Sequence, residues 1–167
     1  MRKPFVISIF CAITVLTACS SPEKEELVEY HNSYIEEINP KAQEIDQLLV
    51  QSSKASSIEE AYNIEKNKVK PLVDEITQYV VNKKPDTDIV KEVNNLRVKQ
   101  FKAWSEAFDS RLKALEVAIE TSKNDPEAQD LMQQYEEKLG KAEQIREEAD
   151  KTFKDFADEH NIKITEN

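Results

Sequence analysis

The sequence predicts an all-α protein, an elongated antiparallel four-helix bundle, and three observations carry that expectation. Only one glycine, Gly140, occurs, and runs of Glu, Lys, Gln, Ala and Leu dominate. That is the composition of long helices rather than of sheets or linkers. Apolar residues recur at three- and four-residue steps in four segments, the period of a helix with one buried face. Short polar turns with capping residues separate the segments, and short turns pack consecutive helices antiparallel. Helices of about 25 to 35 residues, rising 1.5 Å per residue, make a rod of roughly 40 to 50 Å. A three-helix arrangement with kinked helices is the alternative, if the first two segments merge or one end splays.

The chain opens with a different kind of segment. Arg2 and Lys3 precede an apolar run of 14 residues, Phe5 to Ala18, with small residues just before Cys19. That is the layout of an export signal, and it is too short for a bilayer span, which takes about 20 residues. Leu16-Thr17-Ala18-Cys19 resembles the lipobox of bacterial lipoproteins, an aliphatic residue and two small ones before a cysteine. The resemblance implies that Cys19 is alkylated by a diacylglyceryl group and that a dedicated peptidase cuts before it, making Cys19 the lipidated first residue. Cys11 lies inside the apolar run behind Ile9 and Phe10, the wrong neighbours for that cleavage. Ser20 follows Cys19 where an inner-membrane retention signal of this family has Asp. The implied destination is the outer membrane if the cell has one, and otherwise the outer face of the plasma membrane.

The resulting organisation is a signal over 1–18, a lipidated tether over 19–22, a helical bundle over 23–161 and a tail over 162–167. Loss of Arg2 and Lys3 leaves 21 basic against 33 acidic residues, a net charge of −12. That sign excludes nucleic acid as a partner and disfavours electrostatic docking on anionic lipid. With Cys11 removed and Cys19 alkylated, the mature domain has neither a free thiol nor a disulfide.

Each helix has its own start signal and apolar stripe. Ser21 is placed as the first N-cap, with Pro22 at N1 and Glu23, Glu25 and Glu26 in the acidic first turn. The stripe then runs from Leu27 through Ile38 and Ile45 to Leu49, in phase across Pro40, which predicts a kink rather than a break. Ser57-Ile58-Glu59-Glu60 fits a capping box for the second helix. Its predicted face is Ile58, Tyr62, Val69, Val73, Ile76 and Val80, with a second interior proline at Pro71. Asp86 or Thr87 caps the third, whose stripe from Ile89 to Ile119 is the densest and includes Phe101, Trp104 and Phe108. The aromatic trio reads either as a ligand platform or as one face of a buried helix. Asn124 or Asp125 with Pro126 opens the fourth, His160-Asn161 ends it, and Ile162 to Asn167 trail off.

Chemistry is hard to place on this frame. His31 and His160 are the only histidines, and neither follows a glutamate at the spacing of a di-iron bundle. No Ser-His-Asp or Cys-His arrangement can be drawn, and a single glycine leaves no phosphate-cradling loop. The expectation is no enzyme, no metal and no cofactor. One arrangement suggests a ligand site: measured from the turns near 54 and 124, Pro40, Pro71, Asp109 and Gly140 fall at about one height. Pro40, Pro71, Phe108 and Gly140 are therefore candidate ligand-binding residues around a mid-bundle cavity. The alternative is that the two prolines simply bend surface helices.

The stretch from Tyr135 to Ile162, with its Lys138-Leu139 and Glu159-His160-Asn161-Ile162 elements, resembles small helical lipoproteins of Gram-positive, spore-forming bacteria. That resemblance implies a plasma membrane facing a cell wall and supplies no functional residues. The function expected is a membrane-anchored, non-catalytic interaction module of the cell envelope. It is bound to the bilayer through diacylglyceryl-Cys19 and presents a helix face to an envelope protein. A small-ligand binding or sensing lipoprotein is the second reading.

Overall fold

The computed structural model describes residues 21–164; Cys19 and the leader before it lie outside the described residues, as do positions 165–167. Every regular element among the described residues is helical: α1 (Pro22–Ser53), α2 (Ile58–Ile64), a π-helical turn (Glu65–Val69), α3 (Lys70–Asn82), α4 (Asp88–Glu120) and α5 (Pro126–Glu159). Ile64, Glu65, Val69 and Lys70 all keep right-handed helical dihedrals. The second to fourth elements therefore form one continuous rod, and four rods make the antiparallel bundle that composition and periodicity predict.

The rods begin where their caps dictate. The side chains of Ser21, Ser57, Thr87 and Asp125 accept from the backbone N–H groups of Lys24, Glu60, Val90 and Glu127, meeting donors that have no partner inside a helix. The capping box at Ser57 is displaced by one residue. Glu60 reaches back to Ser56, accepting from its N–H at 2.8 Å and its hydroxyl at 2.6 Å. Helix α1 runs unbroken through Pro40, and beside the proline the Lys41 ammonium donates to the Glu37 carbonyl.

Two features differ from the sequence expectation. The second rod is not one regular helix, because Lys70 N–H bonds back five residues to the Glu65 carbonyl just ahead of Pro71. Such a turn widens the helix locally and admits one extra residue. It carries Ile64 inward as a buried residue, leaving a five-residue step to buried Val69. The tail, expected to trail off after 161, instead folds back. Asn161 is left-handed at φ 53°, and Ile162 N–H bonds to Ala157 C=O while Asn161 N–H bonds to Asp158 C=O. This is the paired bonding of a Schellman termination, which uses an apolar contact after the turn. Ile162 supplies that contact, buried in a cluster with Leu27, Tyr30, Phe153 and Ala157, against which Ile164 also packs.

Helices α4 and α5 make the most extensive contact in the molecule. Small buried residues line both helices, Ala103, Ala107 and Ala114 on α4 and Ala128, Ala142 and Ala149 on α5. Short side chains let two backbones approach closely. The central core then fills the other side of α4 with Phe101, Trp104 and Phe108 against Ile38 and Ile45 of α1 and Val73 and Ile76 of α3.

At the end of the rod where α1 starts, Glu26 fixes the 83–87 turn by accepting from the N–H groups of Asp86 and Thr87. Burial pushes its carboxyl upward, but the Thr87 hydroxyl, those two N–H groups and the Lys91 charge outweigh this and leave its pKa below the ordinary glutamate value. A lowered folded-state pKa contributes stability that is present above the unfolded value and disappears as pH falls through the lowered one. Glu26→Gln is therefore expected to destabilise the protein at neutral pH. The gap from wild type in urea unfolding should close as pH drops below the ordinary value of about 4.3. A gap that stays constant down the acid range would show that the charge is not what holds the turn.

Candidate functional site

Among the described residues, polar and aromatic groups of the interior concentrate along α4. Arg97, Trp104 and Arg111 recur at seven-residue spacing, which keeps them on one side of the helix. Around them a continuous ladder of rings climbs the bundle. Tyr30 to Tyr34 is 6.4 Å between centroids, Tyr34 to Phe101 6.2 Å, Phe101 to Trp104 5.9 Å, Trp104 to Phe108 5.6 Å and Phe108 to Tyr135 6.3 Å. The last three contacts are edge-on, the arrangement that ring quadrupoles favour.

An arginine sits at each end of this ladder. Arg97 packs its guanidinium 4.8 Å from the Tyr34 ring and pairs with Asp150 of α5, while Arg146 holds the other oxygen of Asp150 at 2.6 Å. Arg111 lies 5.3 Å from the Tyr135 ring and meets Glu65 of the π-turn with two parallel bonds. Glu65 is fully buried, and the Ser52 hydroxyl of α1 also donates to it. Forked bonding of this kind matches the planar guanidinium to the carboxylate and is the stronger form of ion pair. Tyr30 completes the system by donating its hydroxyl to Asn94 at 3.0 Å.

The phenols stay neutral and the guanidinium groups stay charged near neutral pH. Burial pushes the phenols of Tyr30, Tyr34 and Tyr135 up. For Arg97, burial opposes the charge, but Tyr34 and Asp150 more than restore it; for Arg111, burial is likewise outweighed by Glu65. Permanently charged guanidinium groups and neutral phenols clamp helices together, and they do not serve as acids or bases.

The aromatic trio belongs to this core. Phe101, Trp104 and Phe108 are 5%, 5% and 1% exposed, so they form a buried helix face and not a platform. The mid-bundle site does not assemble. Pro40, Pro71 and Gly140 all lie on exposed faces, and nothing stands within 4 Å of where a Gly140 Cβ would be. Phe108 is enclosed by Trp104 and Tyr135. The physical reason is that a helical proline is tolerated on the wet side, where water meets the carbonyl it leaves without a donor. Height along the rod was nearly right, since Lys70 beside Pro71 pairs with Asp109 at 3.2 Å. Facing was not.

The two histidines share the end of the rod where α1 starts but play separate parts. His31 is 7% exposed and stacks on Phe153 at 4.4 Å. His160 caps α5, its backbone N–H bonding to the Phe156 carbonyl. Among the described residues no group of three His, Cys, Asp or Glu side chains is arranged to hold a metal ion.

Sequence reasoning missed both arginines and Glu65, because an isolated charge next to an apolar stripe reads as solvated. One signal was available, the seven-residue spacing of Arg97, Trp104 and Arg111. Removing one partner of a buried pair leaves an uncompensated charge and costs about 3–5 kcal/mol, whereas an apolar pair of similar size is nearly neutral. Arg111→Met should show that loss in chemical denaturation, and Glu65→Leu combined with Arg111→Met should recover most of it. A double variant as unstable as the single one would contradict the assignment of that loss to an uncompensated buried charge.

No family model, curated protein or solved structure matches the chain.

Proposed function

We propose that the chain is a lipoprotein held by Cys19 on the extracytoplasmic face of a bacterial membrane, where it acts as a non-catalytic interaction module of the cell envelope. In a cell with an outer membrane, that membrane is its site. The observation that carries this reading is Leu16-Thr17-Ala18-Cys19 at the end of a basic and then apolar leader. The interior is compatible with the second half of it, because among the described residues its buried polar side chains are satisfied by one another. Among the described residues no helix is long and apolar enough to cross a membrane; the attachment proposed here is the acylated Cys19 that the lipobox resemblance implies. Two acyl chains at about 0.8 kcal/mol per buried CH₂ hold a protein stably where one chain is marginal.

Metabolic labelling with a fatty-acid analogue compares wild type with Cys19→Ala. Label and membrane association are expected in the first and absent in the second. Equal labelling of both would remove the anchor and with it the assignment of place.

A further inference from the structure

We infer that the rod docks end-on: the surface formed by the start of α1, the 83–87 turn and the 160–164 tail rests on the headgroup layer of the bilayer that carries the anchor. This rests on the lipid-anchor reading proposed above and adds the orientation and the contacting surface. The first support is chain length. Ser21 already caps α1 by accepting from Lys24 N–H, and it follows Cys19 by two residues. A chain reaches at most about 3.6 Å per residue, so the cap lies within roughly 7 Å of the lipidated residue. Helix α1 begins at Pro22, and no flexible spacer remains to lift the domain away.

The second support is that this end is a built surface. Glu26 of α1 holds the 83–87 turn, and Ile162 of the tail is buried with Leu27 of α1. All three segments are thereby tied to the same first turns of α1.

The third is charge. Along α1, the helix next to the anchor, Glu29, Glu36, Glu37 and Glu44 are exposed. Lying on that face would set those carboxylates against lipid phosphates, and standing upright avoids it. Helix α1 is 32 residues long, so the opposite turns at 54–57 and 121–125 stand about 48 Å above the end face.

The test uses the full lipidated protein in phosphatidylethanolamine–phosphatidylglycerol vesicles whose headgroups carry a fluorescence quencher. Single labels are attached through Lys84→Cys, Lys163→Cys, Lys54→Cys or Lys123→Cys, all at exposed positions. Strong quenching at 84 and 163 with almost none at 54 and 123 is the expected result. Lipidated protein quenched alike at all four positions, or more at 54 and 123, overturns the end-on orientation while leaving the anchor in place. Protein whose mass shows no lipid on Cys19 and which does not float with vesicles overturns the anchor reading itself, and the orientation falls with it.

Discussion

Two guanidinium groups, Arg97 and Arg111, lie on one side of α4 among aromatic rings, and each must be met by a carboxylate from another rod. Leaving either charge alone in that interior is costly, whereas meeting it fixes where the other helices stand. Asp150 sets the height of α5 against α4, and Glu65 sets the height of the second rod. Ser52 brings in α1 through the same carboxylate. The apolar residues supply the driving force for burial, but leucines and valines accept many alignments of neighbouring helices. The two ion pairs accept one. The π-turn follows from this, since without an extra residue before Pro71 the helical phase that buries Val69, Val73 and Ile76 would not also bury Ile64 beside Glu65.

An interior organised in this way ties its own helices together. Its phenols are neutral, its guanidinium groups charged, and its rings in contact with one another. This is why place weighs more than chemistry in the functional reading: a self-satisfied bundle gains a role from where it is held and from what its surface meets.

Much of the fold was legible because its determinants are local. Ser21, Ser57, Thr87 and Asp125 mark helix starts by bonding to N–H groups two or three residues away, and an apolar stripe at helical period declares a buried face without reference to any partner. The π-turn was not legible for the opposite reason. Tyr62, Val69, Val73 and Ile76 continue an ordinary helical phase, and only the tertiary pairing with Arg111 draws Glu65 inside. The fold-back at the tail was within reach of sequence reasoning, since Asn161 followed by Ile162 is the pattern of a left-handed residue and its apolar contact. The mid-bundle cavity failed on orientation. Counting residues from the turns gave height along the rod, but Pro40 sits two positions after buried Ile38 and so faces outward.

The central claim is that all four rods share one interior organised on α4, and the chain's one tryptophan, Trp104, reports on it directly. Its fluorescence can be followed through denaturant unfolding beside the far-ultraviolet circular dichroism of the whole helical content. A single cooperative interior requires the two transitions to coincide. Helical signal lost in a separate step, before or after the Trp104 transition, would contradict a core shared by every rod.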